Sequence, residues 1–124
     1  MRLRSTTLTP QELEIMKVVW RLKTATVRDV YEALLETRKV AYTTVMTMMK
    51  ILERKKYLKK SSAERAFVYE AAGPQRHVVG AMVQEFVDRV FNGAAQPLLL
   101  HLIEDQKLSP KDLEEIARVL RKSK

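Results

Sequence analysis

The chain has 124 residues, 46% hydrophobic and 31% charged, enough to bury a core without covalent staples. It has no cysteine, which excludes disulfides, thiolate zinc or iron–sulfur sites and cysteine nucleophiles. The net charge of +8 favours a polyanionic partner, either nucleic acid or an anionic membrane surface.

The charge is unevenly spread. Residues 1–70 carry 15 basic and 8 acidic side chains, and residues 71–124 carry 8 and 7. The first lobe is therefore the anion-binding candidate. No apolar segment follows the basic residues of Met1 to Pro10, and the longest apolar run, Leu98 to Ile103, contains His101. A spanning helix needs about 20 apolar residues, so a cytoplasmic protein with no membrane insertion is expected.

A first helix is expected to open at Leu8-Thr9-Pro10-Gln11-Glu12-Leu13. Thr9 is placed as N-cap, Pro10 at the first helical position and Glu12 to close a capping box. This helix runs to about Arg21 and turns Leu13, Met16 and Trp20 inward. A second helix opens at Thr26 with Asp29 three residues on. Val27, Val30, Tyr31, Leu34 and Leu35 follow the spacing of one buried face, and a loop spans Thr37 to Ala41.

A third helix begins near Tyr42, with Val45, Met48, Met49 and Leu52 on its apolar face. At 100° per residue, Thr43, Thr47, Lys50 and Arg54 fall opposite, flanked by Thr44 and Met46. The period then changes. Tyr57 to Lys60 and Ala66 to Glu70 read as two strands, with Ser61 to Arg65 as the hairpin tip.

Ala72-Gly73-Pro74 divides the chain into a domain of residues 1–72 and one of residues 73–124. A long helix follows, with Val78, Val79, Met82, Val83, Phe86, Val87, Val90 and Phe91 in paired columns, stopped by Asn92-Gly93. Pro97 starts another helix, to about Asp105. Ser109-Pro110-Lys111-Asp112 opens the last, whose apolar side is Leu113, Ile116, Ala117, Val119 and Leu120.

Three helices and a hairpin in this order make a winged helix-turn-helix. The fold class is thus mainly α, with a small β-hairpin wing and a C-terminal helical lobe. The polar face of the third helix is the candidate for reading DNA. Threonine hydroxyls bond to phosphates and base edges, and threonine methyls touch thymine methyls. From Lys50 to Arg65 there are seven basic residues against Glu53 and Glu64. The simpler alternative is a solvated helix face.

The C-terminal lobe carries more apolar positions than it can hide. Val83, Phe86, Val90, Leu98, Leu99, Leu102, Ile103, Ile116, Val119 and Leu120 either pack back on the first lobe or form a two-fold dimer contact. The other tempting residues carry less. His77 and His101 lack ligand spacing, Met46, Met48 and Met49 suit packing, and Glu114-Glu115 suits a solvated face. Ser61-Ser62 needs no more than turn chemistry. No nucleophile–base arrangement or phosphate-cradling glycine loop is present. No enzyme activity, cofactor or metal is expected.

Leu8-Thr9, Glu12 to Met16, Trp20, Thr26 to Val30, the run Ala41 to Met49, Phe67 to Tyr69 and Val90 to Gly93 together resemble the penicillinase-repressor family of the BlaI/MecI/CopY type. The resemblance covers nearly the whole chain, and Ala-Tyr-Thr-Thr-Val-Met-Thr-Met-Met is its most specific part. It implies a homodimeric bacterial repressor that blocks a promoter at a palindromic operator with TACA/TGTA half-sites. Thr43, Thr44, Met46 and Thr47 would then read the major groove. Lys50, Arg54, Lys55 and, on the wing, Arg65 would contact phosphates, and the second lobe would hold the dimer.

The resemblance also implies a membrane sensor–protease system as partner. In the antibiotic-responsive branch it triggers cleavage at an Asn–Phe bond after the linker, and the pair at that position here is His101-Leu102. The thiolate copper site of another branch is excluded for want of cysteine. Family members often carry a Lys-Lys-Gly turn after the third helix. Here the turn is Arg54-Lys55-Lys56-Tyr57, so a non-glycine residue is expected at φ > 0. The reading from a different class is a winged-helix interaction module for an acidic protein.

Overall fold

The computed structural model describes residues 8–62, without the Ser62 side chain, and residues 67–123. Its elements in chain order are α1 (Pro10–Leu22), β1 (Thr24–Ala25), α2 (Val27–Leu35), α3 (Tyr42–Arg54), β2 (Leu58–Ser62), β3 (Phe67–Ala71), α4 (Gln75–Phe91), α5 (Gln96–Glu104) and α6 (Pro110–Lys122). This is the expected mainly helical winged-helix order. The strands form one antiparallel sheet in the order β1-β3-β2.

Local chemistry sets the helix starts. Thr9, Thr26 and Ser109 each accept from the backbone N–H three residues on. Glu12, Asp29 and Asp112 accept in return from the cap residue's N–H. Each reciprocal pair satisfies two donors that a helix N-terminus otherwise leaves open. The helix ends are equally specific. Tyr57 N–H donates to Leu52 O at 2.9 Å and Lys56 N–H to Glu53 O at 3.0 Å, a Schellman closure of α3. It places Lys56 at φ 76°, the left-handed non-glycine residue expected there. Asn92 at φ 54° and Gly93 at φ 88° end α4 in the same region.

The chain divides into two compact units, residues 1–82 and 83–124. In the first, Ile15, Met16 and Val19 of α1 meet Val30 and Leu34 of α2, Val45, Met49 and Leu52 of α3, and Leu58 and Tyr69 of the sheet. Val78 and Met82 pack against this core, so the first unit includes the start of α4. Arg38 binds Glu14 at 2.8 Å, holding the α2–α3 loop to α1.

Some expected burial is revised. Leu13 and Trp20 lie half-buried at the edge of the α1 face, whose centre is Ile15, Met16 and Val19. Leu35 is 44% exposed, because α2 ends there and the core lies along Val30 and Leu34. Met48 is half-buried beside Val45 and Met49. Ser61 and Ser62 belong to β2, paired with Val68 and Phe67, and not to the hairpin tip. The two-residue β1 was not expected, being too short to show alternation.

The second unit contains the end of α4, then α5 and α6. Among its described residues only Val87 is a buried apolar side chain. Phe91 makes an edge contact with Phe86 at 5.9 Å and a tilted contact with His101 at 6.0 Å. Val83, Phe86, Val90, Leu99, Ile103, Ile116, Val119 and Leu120 are exposed, and Leu98 and Leu102 are half-buried. Val119 and Leu120, at 64% each, are the most exposed large apolar side chains among the described residues.

Candidate nucleic-acid interface

The buried stripe of α3 fixes which side of that helix is free. Val45, Met49 and Leu52 point into the core, so Thr43, Thr44, Thr47, Lys50 and Arg54 are turned outward, and all five are exposed. Met46 is half-buried at the margin. This face holds no carboxylate. Lys50 and Arg54 pair with none among the described residues, so their charge is available to an outside anion. Ala41 caps α3 with no side-chain hydrogen bond, which leaves the first-turn N–H groups beside Thr43 and Thr44 open to an acceptor.

Lys55 is placed differently. Its Nζ lies 2.9 Å and 3.1 Å from the two carboxylate oxygens of Glu12. Glu12 is the one buried charged residue among those described, 5% exposed. Burial pushes its carboxyl up. The Thr9 N–H, the Lys55 ammonium and the Thr9 hydroxyl outweigh burial and hold it below the ordinary value. Lys55 therefore serves the joint between α1 and α3. Arg65 lies outside the described residues.

The wing stands beside α3. Lys60 pairs across the hairpin with Tyr69 in register, and its ammonium sits 4.2 Å from the centre of the Phe67 ring. Glu53 is 3.7 Å from the same ammonium. Phe67 and Tyr69, two apart on β3, share one face of the strand. Tyr69 is buried there and Phe67 is 55% exposed. Burial, with Glu53 adding to it, pushes the Tyr69 phenol up.

Sequence reasoning missed two features: the Glu12–Lys55 joint, and the aromatic wing face with Lys60 over Phe67. The alternation Phe67-Val68-Tyr69 was the available signal for the second. On the second unit, His101 is exposed and Leu102 half-buried, both within α5. Among the described residues no group of three or more His, Asp or Glu is placed to hold a metal ion. None of their helices is long and apolar enough to cross a membrane.

Comparison with known proteins gives concordant matches. The penicillinase repressor family matches residues 8–122. The penicillinase repressor of Bacillus licheniformis is 27% identical over 113 residues, covering 91% of this chain and 88% of that protein. The transcriptional regulator BlaI of Mycobacterium tuberculosis is 36% identical over 95 residues, covering 75% of this chain and 69% of that protein. Among solved structures, that of the Bacillus licheniformis BlaI monomeric form in complex with the blaP half-operator superposes with a TM-score of 0.51 at 28% identity. It covers 56% of this chain and 85% of that one.

Proposed function

The chain belongs to the penicillinase repressor family, and from that premise we propose that it is a DNA-binding transcriptional repressor that acts as a homodimer. The observation that carries the reading is the exposed, acid-free face of α3, with three threonines toward its N-terminus and, beyond them, two cations that have no ion pair among the described residues. Thr43, Thr44 and Thr47 read base edges in the major groove, with the Met46 side chain against them. Lys50 and Arg54 contact phosphates, and Arg65 does so from the wing. Lys55 is left to its structural pairing with Glu12. The relative solved with a half-operator supports this docking.

Residues 73–124 supply the dimer contact. The exposed apolar faces of α4, α5 and α6 call for a cover, and the charge of this half is close to balanced, so that cover is protein and not DNA. A second copy of the same chain, related by a two-fold axis, buries the same patch on both partners. The two α3 helices then face successive major grooves at a TACA/TGTA dyad, about 34–36 Å apart or a multiple of that spacing. Bound there, the dimer occludes the promoter. A cut at His101-Leu102 by a sensor–protease system would split α5 and release the dimer.

The test is binding to a duplex with two TACA/TGTA half-sites, against a scrambled duplex of equal length. A preference of about 10³ or more supports the reading. Equal affinity for both duplexes opposes it.

A further inference from the structure

A cavity of ≈ 600 Å³ opens in the first unit between the start of α2, the middle of α3 and the wing. That volume is in the range of sites for small molecules. Its apolar walls include the Tyr42 and Phe67 rings and the Met46 side chain, and its cations are Arg28, Lys50 and Lys60. None of the described lining residues is acidic.

Two of the three cations are stacked on rings that line the same space. Lys60 lies 4.2 Å from the Phe67 centroid and Arg28 lies 5.8 Å from that of Tyr42. Their carboxylate partners compensate weakly. Arg28 meets Glu32 at 3.3 Å with both side chains more than half exposed, and Lys60 meets Glu53 at 3.7 Å. Lys50 has no ion pair among the described residues. An apolar space whose lining carries three cations and no carboxylate fits one kind of molecule: a planar aromatic ring that carries an anionic group. The ring gains by stacking against Phe67 and Tyr42, and the anion by charge-assisted hydrogen bonds to Lys50 and its neighbours.

We propose that this cavity is a binding site for small aromatic organic anions, and that its occupation competes with DNA. The competition rests on the DNA-binding reading, because Met46 and Lys50 belong both to the cavity and to the reading face of α3. An anion seated there neutralises Lys50 and stands between α3 and the wing. The site would thus give the repressor a chemical release that needs no proteolysis.

The experiment titrates the full chain with 2-naphthoate in the absence of DNA, followed by calorimetry and by ligand NMR. Saturable binding of one molecule per chain is expected, with a dissociation constant on the order of 1 mM or tighter. Phe67→Ser, at an exposed position, and Lys50→Gln should each weaken it about tenfold, with the unfolding midpoint unchanged. The neutral 2-naphthalenemethanol should bind about tenfold more weakly. Glu114→Gln, on the solvated face of α6 in the other unit, should bind as the parent does. No saturable binding, indifference to both cavity variants, equal binding of the neutral analogue, or loss in Glu114→Gln would overturn the site.

A second arm adds 2-naphthoate at ten times its dissociation constant to the protein–operator complex. Direct competition at both protomers of the dimer weakens operator binding about 10²-fold, about elevenfold for each half-site. Naphthoate bound with DNA affinity unchanged would overturn the regulatory half of the proposal. A chain that binds naphthoate but no DNA in its absence would count against the DNA-binding reading, while the first arm still decides the cavity.

Discussion

The Lys55 ammonium lies 2.9 Å from the buried Glu12 carboxylate, joining the last residues of the α3 region to the first turn of α1. Glu12 has two tasks there. One oxygen accepts from the Thr9 N–H at 3.0 Å to complete the cap of α1, and both accept from Lys55. The C-terminal end of α3 is thus tied to α1 by a charge pair that adjoins Arg54 of the reading face.

Removal of one partner should be costly. Glu12→Gln and Lys55→Met are each expected to destabilise the first unit by about 1–3 kcal/mol. That is less than the loss for a fully buried pair, because Lys55 retains some solvent. The pH dependence follows from the lowered Glu12 pKa. A carboxyl bound more tightly to its charge in the folded state contributes stability above its unfolded value of 4.5 and loses it as pH falls through the lower folded value. Chemical denaturation of parent and Glu12→Gln between pH 7 and pH 3 checks this. Their difference should shrink toward the acid end.

Lys56 closes α3 at φ 76°, a conformation in which a Cβ is strained and glycine is not. Lys56→Gly is expected to stabilise the first unit by ~1 kcal/mol. A lower midpoint in urea would show that the lysine side chain returns more than its backbone costs.

The two parts of α3 should respond differently to mutation. Thr47→Ala should relax sequence preference while leaving affinity for random duplex almost unchanged. Lys50→Ala should weaken all duplexes alike and make the salt slope shallower by about one. Equal losses on operator and random duplex for Thr47→Ala would remove that residue from the base-reading set.

How far these elements could be read before folding depended on the distance over which their causes act. The capping boxes at Thr9, Thr26 and Ser109 and the stops at Lys56 and Asn92-Gly93 are set within a few residues, so the helix order was legible. So was the outward face of α3, since burial of Val45, Met49 and Leu52 fixes it by geometry alone. The Lys55 pairing was not legible, because its partner is 43 residues away and both residues are also ordinary surface types. Leu35 fits the helical period but sits on the last turn of α2, where it stays 44% exposed. The aromatic cavity needs three elements to meet and has no local pattern.

The apolar faces of the second unit make oligomeric state the next test. The double variant Val119→Asp/Leu120→Asp places charges where the proposed two-fold contact would bury them. Sedimentation should show the parent as a dimer and the variant as a monomer. Operator affinity should fall by about 10²–10⁴, because two half-site contacts no longer act as one bivalent event. A variant that remains dimeric would move the contact off α6.

The most direct test of the central claim is a titration of the full chain on a TACA/TGTA dyad duplex at 50 and 200 mM salt. A dimer that touches about 6–10 phosphates should lose ~10³–10⁵ in affinity between these conditions. Affinity that stays nearly flat across that range would contradict recognition of DNA through the α3 face and the wing.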